Sequence, residues 1–218
     1  MAELAALHES IDTHSTIEMD TELLESIRSC ATLTGALLLQ SPSNEAIAQT
    51  TRELRAMDVV REWPFGTANE RSDAANLLSA CRDEPTDRLD REYHHLFVGP
   101  QYLEAPPWGS VYLDSESVVF GDSCIALTRW MRANGIALHE SSGREPADHI
   151  GRMLVLLGWL CENDPALVEE YVRLHLNTWA PVYFKRFDDA AAESPFYRAV
   201  ARLASLMLRD IACRGQVK

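Results

Sequence analysis

The chain has 218 residues, 46% of them apolar and 24% charged, with 33 acidic against 20 basic side chains and a formal net charge of −13. A chain of this size buries a sizeable core as one large or two small domains, and the composition is that of an ordinary globular protein. The charge excludes a nucleic-acid binder, which needs a basic face to displace counterions, and favours basic partners or plain solubility.

Residues 1–19 are mixed and weakly patterned, and are expected to form a tail or a frayed helix; they lack the basic start and apolar core of a signal peptide. From Asp20 the pattern turns helical, with Leu23, Leu24, Ile27, Cys30, Leu33 and Leu37 recurring at spacings of three and four. Ser41-Pro42-Ser43 ends that helix, and Ser43 opens a second running to about Val60. Trp63-Pro64-Phe65-Gly66 is a turn, Ser72 opens a third helix closed before Pro85, and a fourth begins near Asp87 and carries Leu89, Tyr93, Leu96 and Phe97.

An irregular segment, residues 98–121, then interrupts the helical pattern with Pro106-Pro107 and repeated glycines, yet is rich in aromatic and branched side chains. A structureless link of this length inside a domain is functional or disordered, and disordered chains lack such residues. It is therefore expected to be an ordered crossing segment that shapes a binding surface, with Ser110–Leu113 as the one hint of strand alternation.

Asp122 or Ser123 is expected to cap the next helix, with Cys124, Leu127 and Met131 on one face and Gly135 ending it in the left-handed conformation. A polar loop at 136–144 precedes Glu145-Pro146, which is expected to start a helix with proline in its first turn. From Ile150 to Cys161 that helix is apolar nearly all round, as suits one buried centrally. Asn163-Asp164-Pro165 breaks it, and helices follow at about 165–176, 180–190 and 195–212, with 213–218 a C-terminal tail. The expected fold class is all-α, with an N-terminal part at 20–121 and a C-terminal part at 122–212.

Signatures of chemistry are missing from the sequence. Gly109-Ser110-Val111 lacks the second half of a nucleophile elbow, no phosphate loop is present, and His139-Glu140 has glycine where a zinc-protease helix needs its second histidine. His94 and His95 are adjacent and diverge on a helix, so no metal site is expected. Five widely spaced cysteines without a C-x-x-C pair suit a reducing compartment and a cytoplasmic protein, with the thiols as small core residues. The longest apolar run, Met153–Cys161, is too short to span a bilayer. Asp148-His149 is the most enzyme-like pair, but as helical neighbours they cannot form an acid–base dyad, and Asp148 is explained by the free N–H groups of a first turn. Trp63, Trp130, Trp159 and Trp179 read as core. Trp108, held by Pro-Pro with Gly109 leaving space beside it, either anchors a partner or plugs the join between two helical halves.

Three stretches carry a resemblance. They are Tyr93-x-x-Leu96-Phe97-x-Gly99-Pro100; Pro106-Pro107-Trp108-Gly109-Ser110-Val111-Tyr112-Leu113-Asp114-x-Glu116-Ser117-Val118-x-Phe120-Gly121-Asp122-Ser123; and Glu145-Pro146-x-Asp148-His149. Together they resemble the TorD/DmsD family of chaperones for molybdenum-containing oxidoreductases exported by the twin-arginine (Tat) pathway, and look closest to its dimethyl sulfoxide reductase branch. The resemblance implies a helical bundle with two subdomains, no ordinary enzymatic activity and no cofactor of its own. It implies binding of the twin-arginine signal peptide of a reductase catalytic subunit, at Tyr93, Leu96, Phe97, Pro107, Trp108, Gly121, Asp148 and His149, and holding of that apo subunit until its cofactor is inserted. Tyr93 stands where the family pattern has tryptophan, which bears on client preference.

Physically, Asp148 or Glu145 can pair with guanidinium groups, Leu96, Phe97 and Trp108 offer apolar surface, and the net charge draws in a basic peptide. Two alternatives remain at this level: recognition of the folded core of a nitrate-reductase-like subunit, and a nucleotide hydrolase using Asp148 and His149. The expected partners are the leader or the apo subunit, with membrane contact only through the Tat translocase, and the chain is a monomer or a domain-swapped dimer.

Overall fold

A computed structural model of the chain describes residues 20–99, 102–116, 119–137 and 145–215. The expected N-terminal tail, most of the polar loop with His139 and Glu140, and the last three residues lie outside the described residues. Eleven α-helices appear among them: α1 Thr21–Leu39, α2 Glu45–Ala56, α3 Val59–Glu62, α4 Ala68–Ala80, α5 Thr86–Tyr93, α6 Ser110–Leu113, α7 Asp122–Ala133, α8 Ile150–Asn163, α9 Val168–Tyr171, α10 Ala180–Ala190 and α11 Pro195–Gly215. The fold is all-α, and the Ser110–Leu113 stretch that hinted at a strand is a helical turn.

Local chemistry accounts for most of the boundaries. Asp20 caps α1 by accepting the Glu22 N–H, and Asn44 caps α2 by accepting the Ala46 N–H at 2.9 Å. The third expected helix starts earlier than Ser72, at Ala68. Thr67 and Glu70 form a reciprocal capping box there, each side chain accepting the other's backbone N–H. Gly135 ends α7 at φ 71°, and the Ile136 N–H reaches back to the Met131 carbonyl at 2.9 Å. Two π-turns, His94–Val98 after α5 and Val172–Leu176 after α9, widen the backbone where smooth helices were expected.

The long apolar helices α1 and α8 cross at the centre of the molecule. Small residues face each other at the crossing: a methyl group on Gly35 would lie 2.8 Å from the Gly151 carbonyl oxygen, and one on Gly151 would lie 2.8 Å from the Gly35 carbonyl oxygen. The backbones therefore touch directly, and Ile27, Leu38, Leu154 and Leu157 fill the core on either side with no exposed surface. One continuous core takes in α1, α4, α5, α8, α10 and α11. On its flank Asp188 of α10 accepts paired hydrogen bonds from both Arg198 and Arg202 of α11, which hold its carboxyl well below the usual range.

Two readings of single residues change. Trp159, read as core, is 43% exposed, on the flank of α8 beside its contact with α1. Of the five thiols four are buried, and Cys213 is exposed.

Candidate functional site

The Pro-Trp-Gly stretch and the Asp-His pair are far apart in sequence and are stitched together in space. Trp108 and His149 form an antiparallel bridge, in which Gly109 donates to the Asp148 carbonyl at 3.0 Å and Ile150 donates to the Pro107 carbonyl at 2.7 Å. The Asp148 side chain extends the stitch, its Oδ2 accepting the Ser110 N–H at 2.7 Å. Trp108 Nε1 donates to Glu145 Oε1 at 2.6 Å, and its ring meets His149 edge to face at 6.3 Å.

This pairing corrects the expected start of α8. Glu145 and Pro146 precede the helix, which begins at Ile150 with His149 as its cap, the ring Nδ1 accepting the Gly151 N–H at 3.1 Å. Asp148 is thus no first-turn carboxyl. It sits in the turn before the cap, 3% exposed, anchoring the first residue of α6. Ser110 Oγ and Tyr112 Oη are buried nearby without a hydrogen-bond partner, which is costly. Burial and the nearby Arg152 charge push the His149 imidazole down to about 3, which suits the neutral ring that accepts the Gly151 N–H. Cys124, beside Asp148, is pushed up to about 11, chiefly by burial.

Gly109 also has a different role from the one its sequence context suggested. No space lies beside Trp108: a methyl group on Gly109 would meet Trp179 Nε1 at 2.8 Å. The glycine lets the crossing segment press onto Trp179, and Tyr112 stacks on that same indole at 5.6 Å. Trp108 itself is half-buried.

Tyr93, Leu96 and Phe97 are 7%, 6% and 5% exposed, so Leu96 and Phe97 do not offer the apolar surface expected of them. Spaced four, seven and eight residues from Leu89, they lie on the one helix face that turns into the core. Phe97 stacks on Tyr93 at 5.0 Å and contacts Phe187, Tyr197 and His149, while the Tyr93 hydroxyl donates to the Leu39 carbonyl at 2.6 Å. These side chains support the bridge from below. Pro107 is likewise buried.

Gly121 stands at a different kind of position. A side chain there would collide with the Asp114 carboxyl, which accepts the Ser123 N–H at 3.2 Å and so caps α7 from outside the helix. This replaces the expected cap by Asp122 or Ser123 itself. The residue before it, Phe120, has φ 65° and is 59% exposed. A bulky side chain in the left-handed region is strained, and such strain gathers at functional turns. Leu113, Val119 and Ile125 are also exposed where the ends of α6 and α7 meet, and the acidic Glu116 and Asp122 are exposed beside them. Sequence reasoning named Gly121 but missed Phe120 as the exposed member, since no local pattern marks a phenylalanine with positive φ.

Among the described residues no group of three His, Cys, Asp or Glu side chains is placed to hold a metal ion. No helix among them is long and apolar enough to cross a membrane.

The nitrate reductase delta subunit family matches residues 66–185. The Tat proofreading chaperone DmsD of Salmonella typhi is 38% identical over 179 residues, covering 82% of this chain and 85% of that protein. The probable Tat proofreading chaperone DmsD of Haemophilus influenzae is 34% identical over 189 residues, covering 86% and 90%. Among solved structures, a putative redox enzyme maturation protein from Archaeoglobus fulgidus shares the fold, with a TM-score of 0.55 and 18% identity over 85% of this chain and 93% of that one.

Proposed function

The chain belongs to the nitrate reductase delta subunit family, in the TorD/DmsD group of chaperones, and from that premise we propose that it binds the twin-arginine leader of a molybdenum-cofactor oxidoreductase subunit of the dimethyl sulfoxide reductase type. It holds that subunit until the cofactor is inserted and export through the Tat pathway can begin. It is a chaperone, not an enzyme.

The observation that carries the site is the Phe120 turn: exposed apolar side chains on a strained backbone, rimmed by acidic groups. A twin-arginine leader presents guanidinium groups followed by an apolar stretch. Phe120, Val119, Leu113 and Ile125 take the apolar stretch, at roughly 25 cal/mol per Å² buried before ordering costs. Glu116 and Asp122 take the arginines in charge-assisted pairs. Asp148 is an indirect partner, since it is buried and already holds Ser110, and Arg152 supplies a cation to the same corner. Tyr93, Leu96, Phe97, Pro107, Trp108, Gly121, Asp148 and His149 hold this surface in place, and Glu145 fixes Trp108 through its indole N–H.

The test is co-purification of the chain with its client subunit, with and without the client's leader. Removal of the leader is expected to abolish the complex. A complex that survives removal assigns the chain to recognition of the folded subunit, the second reading that the nitrate reductase delta subunit match keeps in play.

A further inference from the structure

A second feature is a groove of about 830 Å³ between the start of α1, the α9 region, the start of α10 and the end of α11. Leu23, Val172, Phe184 and Leu208 supply apolar wall, and Arg173, Arg209 and Arg214 line it with positive charge, opposed by Asp20 and Glu169. Arg209 is paired with Glu70 and Asp210, whereas Arg173 and Arg214 form no ion pair among the described residues. In a chain of net charge −13 a basic-lined apolar groove is out of keeping with the rest.

We propose that this groove is the docking site of the chain's own N-terminal segment, residues 1–19. Three observations select this occupant. Asp20 lines the groove, so the segment leaves the fold at the groove's mouth, and its local concentration there is on the order of millimolar without any linker to span. Leu4, Leu7 and Ile11 recur at spacings of three and four, one face of a helix with the side chains an apolar groove takes. Finally, the segment carries Glu3, Glu9, Asp12 and Glu18 and no lysine or arginine, a charge opposite to that of Arg173 and Arg214 in the groove.

The groove carries its own reporter. Cys213 lines it and is exposed, while the other four thiols are buried, so a water-soluble disulfide reagent under native conditions reads this one site. The full chain, the double variant Leu4→Asp/Leu7→Asp and a Cys213→Ala blank are compared for labelling rate. Residues 4 and 7 lie outside the described fold, and equal thermal melts confirm that the variant is folded. Labelling is expected to be slow in the full chain, at a rate independent of protein concentration, and on the order of tenfold faster in the double variant, because protection follows the docked population. Equal rates in the two proteins overturn the proposal. So does labelling of the full chain that speeds up on dilution, which assigns the groove to a second copy, or protection that arises only when leader peptide is added.

Discussion

Gly151→Val is expected to leave little soluble, folded protein. A first side-chain carbon at position 151 lies 2.8 Å from the Gly35 carbonyl oxygen and 2.9 Å from the Leu39 backbone nitrogen, so what must move is the backbone of the facing helix rather than a flexible side chain. Overpacking a well-packed core costs about 1–3 kcal/mol when side chains can yield. Here the two central helices are forced apart along a crossing that Gly35 and Gly158 also line, so on the order of 3 kcal/mol or more is expected, against a typical total of about 5–15 kcal/mol. Urea unfolding followed by circular dichroism checks this. A valine variant as stable as the parent would mean that the helices do not approach so closely.

Phe120→Gly should move stability and binding in opposite directions. Glycine accepts φ 65° without penalty, whereas phenylalanine does not, and the ring that is lost was 59% exposed and contributed little packing. Relief of about 1–2 kcal/mol of left-handed strain outweighs the roughly 0.4–1 kcal/mol that glycine's freedom costs in the unfolded chain, so the variant is expected to gain about 0.5 kcal/mol of stability. If Phe120 contacts the leader's apolar stretch, its removal costs about 1.5–3 kcal/mol of binding, at least a tenfold loss of affinity. A residue kept only for the fold would give the reverse, a loss of stability or no change, with binding intact. The pair of measurements is a thermal melt and a leader titration on the same preparation.

What could be read from the residues, and what could not, divides along physical lines. The spacing of Leu23, Ile27, Cys30 and Leu37 specified α1, and Gly135 the left-handed stop of α7, because both are governed by neighbours in sequence. The start of α8 could not be read that way. Glu145 and Pro146 resemble a helix entry, but the long-range bonds from Gly109 to Asp148 and from Ile150 to Pro107 delay the helix to Ile150. Tyr93, Leu96 and Phe97 show the limit of family motifs. The motif marked them as a contact surface, yet their spacing from Leu89 already places Tyr93, Leu96 and Phe97 on the buried face of the helix. Phe120 was illegible because no local pattern marks a phenylalanine with positive φ. The groove beside α1 is assembled from four separate elements, none of which announces it.

Calorimetric titration of the full chain with a twin-arginine leader, beside the same peptide with both arginines changed to lysine, tests the central claim most directly. Micromolar or tighter binding is expected for the arginine form, about tenfold weaker binding for the lysine form because lysine cannot make the paired fork, and weakening of both by salt. Equal affinity for the two peptides, or no binding to either, would contradict recognition of the leader at an acidic, apolar surface.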